Sequence, residues 1–127
     1  MRHWTRGGES ASIPVIDMEE LEEIRAYPDH VIVDVRGAAE YRAGHVPGAV
    51  NVPHTRLPLL MGRIPPAGTL FVHCQGGVRS ALASAFLAAQ GRDVVFVDGE
   101  WSRWVERGFP LEQGMRETAN RVGAGVS

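Results

Sequence analysis

Four short apolar runs restrict what this chain can fold into. Val31-Ile32-Val33, Ala49 to Val52, Leu70-Phe71-Val72 and Val94-Val95-Phe96-Val97 are each of strand length and almost uninterrupted in apolar side chains. A strand with one face in water alternates apolar with polar residues, so a run without that alternation belongs in a sheet buried on both faces. Helical stretches with clear stops lie between the runs. Asp17 occupies an N-cap position, Glu20 follows at the capping-box spacing, and Leu21 with Ile24 forms an apolar stripe that ends at Pro28-Asp29. Residues 38–43 support a short helix ended by Gly44, and residues 57–61 one or two helical turns. Residues 80–90 form a helix ended by Gly91, and Trp101 with Trp104 marks a last helix that stops near Gly108-Phe109-Pro110. Such alternation predicts an α/β domain with a parallel sheet covered by helices on both faces.

The chain has 127 residues, the size of one domain, and its 44% apolar content is enough for a core without disulfides or structural metal. The expected domain spans residues 13–113. Residues 1–12 form a flexible polar segment ahead of it, and residues 114–127 a tail in which 115–122 can make a short extra helix. Lys+Arg 13 against Asp+Glu 15 leaves a formal charge of −2, with no basic stripe to attract nucleic acid. The longest apolar stretch, 81–89, contains Ser84 and falls well short of the roughly 20 residues that cross a membrane. The first residues lack the apolar segment of a secretory signal. The single cysteine, Cys74, rules out an internal disulfide and a thiolate metal cluster, and a free thiol suits a reducing compartment. A cytoplasmic protein without nucleic-acid or membrane partners is the expectation.

Ligands of open parallel sheets gather beyond the carboxyl ends of the strands, so the junctions after Asp34 and after His73 are the places to look. The second reads His73-Cys74-Gln75-Gly76-Gly77-Val78-Arg79-Ser80. Two consecutive glycines allow the backbone to aim several N–H groups at one point, forming a small anion nest. A helix beginning near Ser80 adds the positive end of its dipole, and Arg79 adds a permanent cation. Each effect favours thiolate over thiol, so Cys74 is expected to be nucleophilic near neutral pH. The same donors, supplied by Gln75, Gly76, Gly77, Val78, Arg79 and Ser80, would hold an anionic substrate against the sulfur. The plainer reading, a small buried cysteine beside an ordinary turn, leaves the conjunction of strand end, double glycine, arginine and helix unexplained.

Here the sequence resembles a family, the single-domain rhodaneses, over nearly the whole stretch from Ile13 to Glu112. Val33-Asp34-Val35-Arg36, then Glu40-Tyr41 and Gly44-His45-Val46-Pro47-Gly48-Ala49, are similar to the family's first signature, continued by Asn51-Val52-Pro53. Cys74 to Ser80 is similar to its active loop, and Gly99, Trp104, Gly108 and Pro110 to its closing pattern, with Glu100 in place of a common glycine. The resemblance implies a three-layer α/β/α fold with a five-stranded parallel sheet. It also implies sulfur transfer, in which Cys74 takes a sulfane sulfur from thiosulfate or a small persulfide and passes it to cyanide or a thiol. No metal or other cofactor is required. Asn51 to Leu57 and His73 to Ser80 also resemble rhodanese modules attached to persulfide dioxygenases. That suggests such an enzyme, or another sulfur-carrier protein, as a partner and glutathione persulfide as a donor. Related phosphatases and arsenate reductases place five residues between cysteine and arginine, whereas Gln75, Gly76, Gly77 and Val78 make four here. A phosphatase is therefore the weaker alternative, beside a non-catalytic binding or regulatory module.

The remaining polar residues have plainer expectations. Asp34 and Arg36, near the end of a central strand, are supporting residues that hold loops together by hydrogen bonds and an ion pair. His45 fixes a loop, and His73 packs within or at the end of its strand. The five histidines show no spacing that would assemble a zinc site with one cysteine. Trp101 and Trp104 are core and rim residues, and Glu19, Glu20, Glu22 and Glu23 form a solvated helix face.

Overall fold

The computed structural model describes residues 13–114. The expectations for residues 1–12 and for a helix over 115–122 lie outside the described residues. Within them, β1 (Val15–Ile16), β2 (His30–Asp34), β3 (Val50–Asn51), β4 (Thr69–His73) and β5 (Val94–Val97) form one sheet in the order β1-β5-β4-β2-β3. Every pairing is parallel, and the register sets Asp34 of β2 beside His73 of β4. The two junctions singled out in the sequence are therefore neighbours at the carboxyl edge of the sheet. The fifth strand, β1, comes from the apolar run Ile13–Ile16 and closes one edge.

Side chains alternate between two cores, as a pleated strand requires. Ile32, Phe71, Val95 and Val97 pack with α1 (Met18–Ile24), α2 (Ala38–Ala43) and α4 (Trp101–Glu106), through Leu21, Ile24, Tyr41, Trp101 and Trp104. Val33, Leu70, Val72 and Val94 pack on the other face with Ala83 and Leu87 of α3 (Val78–Ala89) and with Leu57. This is the three-layer arrangement with a five-stranded parallel sheet. Cys74 belongs to the second core.

Local signals act as their chemistry dictates. The Asp17 carboxylate accepts from the Glu20 amide at 2.8 Å, and the Glu20 carboxylate accepts from the Asp17 amide at 3.0 Å, closing the capping box of α1. The helical turns expected over 57–61 are 3-10 turns over His54–Leu59 and Met61–Arg63. Pro58, which carries no N–H, sits inside the first of them and prevents an α-helical ladder. α3 starts at Val78, earlier than Ser80, because Gly77 takes the left-handed conformation at φ 104° and serves as the N-cap. At the other end, the Trp104 indole N–H donates to the Pro110 carbonyl at 2.8 Å and folds the chain back after α4. His45 and Glu112 then exchange backbone hydrogen bonds at 2.8 and 2.9 Å.

Candidate active site

β4 delivers Cys74 one residue beyond its last member, and the chain turns at once into α3. The side chain is 1% exposed and is a free thiol. Two amides donate to its sulfur, and the thiol in turn donates to the Ser80 hydroxyl. The Gly77 amide lies 3.0 Å from Sγ, the Ser80 amide 3.3 Å, and the Ser80 hydroxyl oxygen 3.3 Å. Burial pushes the Cys74 thiol up. The hydrogen bonds of the Ser80 hydroxyl and of the Ser80, Gly77 and Gly76 amides overcome that burial, and the thiol titrates below the ordinary cysteine value. The lowering comes chiefly from these oriented dipoles.

The two glycines of the loop are not equivalent. Gly77 needs its positive φ, and a Cβ there would sit 3.1 Å from Asp98 Oδ1. Gly76 has no positive φ, and a Cβ there would meet nothing within 4 Å. The loop is also pinned from outside, since the Trp101 amide at the start of α4 donates to the Gln75 carbonyl at 2.8 Å.

Arg79 reaches across to α2. Its guanidinium makes a two-pronged pair with Glu40 of α2, at 2.8 and 3.1 Å, and Glu40 also accepts from the Gly37 amide at 2.8 Å. The Arg79 hydrogen bond, helped by the Gly37 amide, lowers the Glu40 carboxyl to about 2 against the effect of burial. Arg79 is itself raised, first by that hydrogen bond and only further down by the charge on Cys74. The expected cation beside the sulfur is thus a cation tied to a carboxylate. No spacing in the sequence signals this contact, because Glu40 and Arg79 lie far apart in the chain.

Asp34 and Arg36 form a buried pair under the same edge. Arg36 Nε lies 3.0 and 3.1 Å from the two Asp34 carboxylate oxygens, and Nη2 lies 2.7 Å from Oδ2 and 2.6 Å from the Gly44 carbonyl oxygen. The guanidinium stacks over the Trp101 ring at 4.4 Å. Asn51 extends the network by donating to the Asp34 and Arg36 carbonyls, both at 3.0 Å. His73 is fully buried, with Nε2 3.7 Å from Asp34 Oδ2; burial lowers its pKa and keeps it neutral even though Asp34 acts in the opposite sense. His45 stacks on Tyr41 with ring centroids 3.6 Å apart, and its Nδ1 donates to the Tyr41 carbonyl at 2.7 Å. Among the described residues no group of three His, Cys, Asp or Glu side chains converges as a metal site would, and no helix is long and apolar enough to cross a membrane.

A parallel α/β domain with a cysteine held by backbone amides beyond its central strand defines a class of thiol-bearing cradle proteins. Within that class, the family model described as the rhodanese-like domain matches residues 17–107, and the chain belongs to that family. It is 34% identical over 98 residues to a sulfurtransferase of Allochromatium vinosum, an alignment that covers 76% of this chain and 92% of the relative. It is 31% identical over 101 residues to the HTH-type transcriptional regulator Rv0324 of Mycobacterium tuberculosis, covering 78% of this chain but only 45% of the regulator. The solved rhodanese-like domain protein of Staphylococcus aureus superposes with a TM-score of 0.71 at 31% identity, over 81% of this chain and 100% of that one.

Proposed function

We propose that the protein is a sulfurtransferase that carries a sulfane sulfur as a persulfide on Cys74. The observation that carries this reading is the convergence of the Gly77 amide, the Ser80 amide and the Ser80 hydroxyl on one buried sulfur. With thiosulfate, the Cys74 thiolate attacks the outer sulfur, the sulfur–sulfur bond of the donor breaks, and sulfite leaves with the electron pair. A new sulfur–sulfur bond joins Cys74 to the transferred atom, which carries the negative charge. An acceptor thiolate or cyanide then attacks that atom and regenerates the Cys74 thiolate, so the cycle needs no outside oxidant, reductant or metal. The role of the loop is electrostatic: preorganised N–H donors stabilise charge on sulfur without reorganising during transfer.

Arg79 enters this account as a support of the loop, because its charge is engaged by Glu40. The same fact, with four residues between Cys74 and Arg79, speaks against a phosphatase, which needs its arginine at the transferred group. The natural donor and acceptor in this reading are small thiols, persulfides or a sulfur-carrier protein such as a persulfide dioxygenase. A second reading, a rhodanese-like module that senses or binds without turnover, is favoured by the 31% identity to a transcriptional regulator. Thiocyanate formation from thiosulfate and cyanide separates the two. The enzyme reading expects turnover that Cys74→Ser abolishes and no hydrolysis of p-nitrophenyl phosphate. Absence of thiocyanate with every sulfane donor overturns it.

A further inference from the structure

The segment that follows α4, residues 109–114, returns across the domain as a strap. His45 and Glu112 exchange backbone hydrogen bonds at 2.8 and 2.9 Å, and the Gly114 amide donates to the Arg42 carbonyl at 2.8 Å. The Gln113 side-chain amide donates to the Ala43 carbonyl at 3.2 Å. Leu111, within the strap, lines one cleft with Ala43, Gly44 and Gln75 of the active loop. What fixes the strap therefore fixes a wall beside that loop.

One contact of the strap is unfinished. His45 Nδ1 lies 2.7 Å from the Tyr41 carbonyl oxygen, and a carbonyl oxygen can only accept, so Nδ1 carries a proton. In the neutral ring that leaves Nε2 as a bare acceptor. Nε2 is buried without a hydrogen-bond partner, and Oε1 of Glu112 lies 3.4 Å from it. A carboxylate also only accepts, so two acceptors face each other just beyond the roughly 2.7–3.2 Å of a hydrogen bond. Both are held in place: the His45 ring stacks on Tyr41, and Oε1 accepts from the Gly48 amide at 3.2 Å. A proton on Nε2 turns this apposition into a charge-assisted hydrogen bond.

The other charged and titratable groups in this region have separate engagements. His73 at the sheet edge is kept neutral by burial. Arg36 is paired with Asp34 and binds the Gly44 carbonyl. On α2, Glu40 is paired with Arg79, and Arg42 is exposed. Glu112 is the anion that stands at Nε2.

We propose that His45 and Glu112 form a proton-operated latch on the strap. Uptake of one proton from water at Nε2 draws Oε1 into an N–H···O bond and tightens residues 109–114 against residues 42–48. Release of that proton restores two facing acceptors and loosens the strap. The strap, and with it the wall formed by Leu111, is thus firmest on the acid side of the transition and is freed as pH rises. The latch does not depend on sulfur transfer, so failure of either leaves the other standing.

Amide hydrogen exchange of the full chain, corrected for the intrinsic pH dependence of exchange, tests the latch. Measurements at about pH 5.5 and about pH 8.5 bracket the ordinary histidine pKa of about 6.5. Protection of the Glu112 and Gly114 amides should be roughly fivefold to tenfold greater at the lower pH, the scale of one charge-assisted hydrogen bond to a partly exposed partner. Protection of Phe71 and Val72 in β4 should not follow it. The nitrogen resonance of His45 Nε2 should pass from bare to protonated over the same interval. Glu112→Gln separates the latch from a general effect of pH, because its carboxamide can donate to the bare Nε2; strap protection should then be the same at both pH values. Four results overturn the proposal: no change in the wild type, an equal change in Glu112→Gln, a change shared by Phe71 and Val72, or an Nε2 that keeps one protonation state throughout.

Discussion

Replacing Ser80 with alanine isolates the chemistry of the cradle. Ser80 is fully buried, and its hydroxyl lies 3.3 Å from Cys74 Sγ and 3.1 Å from the Gly77 carbonyl oxygen. Over a protonated thiol the hydroxyl donates to Gly77 and accepts from S–H. Over the thiolate it turns to donate to sulfur. Its influence on acidity is then the difference between a charge-assisted hydrogen bond, about 1.5–3 kcal/mol, and the neutral bond it relinquishes, about 1 kcal/mol. The net, about 0.5–2 kcal/mol, favours the thiolate. The two amide donors remain, so Ser80→Ala raises the Cys74 pKa without returning it to the value of a buried, unsupported thiol. The rate of alkylation by iodoacetamide as a function of pH measures this directly, with thermal melting to confirm that the variant is folded. An alkylation profile that superposes on the wild type in a folded variant would refute the claim that side-chain hydrogen bonding helps set the reactivity of Cys74.

Other perturbations follow from the same geometry. Gly77→Ala forces a side chain into φ 104° and within 3.1 Å of Asp98 Oδ1, so it should cost about 1–3 kcal/mol in urea unfolding, while Gly76→Ala stays within about 0.5 kcal/mol. Reversal of that order would contradict the assigned loop conformation. Arg36→Leu strands the Asp34 carboxylate in the core and should destabilise by about 3–5 kcal/mol; a loss below about 1 kcal/mol would mean the pair is not buried as described. Glu40 has a folded pKa of about 2, below its ordinary 4.5. Its contribution is therefore complete above its unfolded pKa and is lost as pH falls through about 2. The pair is partly exposed, so the effect is small. Carboxyl NMR titration of Glu40 checks the midpoint, and a value near 4.5 would show that the Arg79 pairing does not persist in solution.

Much of this architecture was legible because its causes are local. The strands announce themselves by apolar runs such as Val31-Ile32-Val33, and the Asp17–Glu20 box by its spacing. The cradle was legible too, since Cys74, Gly77 and Ser80 lie within a single turn of chain and their types already imply converging donors. What stayed hidden depends on contacts between distant segments. That the Arg79 charge is paired with Glu40 shows only once α2 is folded against the loop. The Trp101 amide that pins Gln75 cannot be foreseen, because any residue except proline supplies the same N–H. The helix start at Val78, two residues ahead of Ser80, follows from the left-handed Gly77 that serves as its N-cap.

The central claim is that Cys74 itself carries the sulfur. Intact mass after brief thiosulfate or glutathione persulfide treatment and desalting, on the wild type and on Cys74→Ser, tests it most directly. The account predicts a gain of one sulfur atom that cyanide discharges and that the variant never shows. No gain with either donor, or an equal gain in Cys74→Ser, would contradict it.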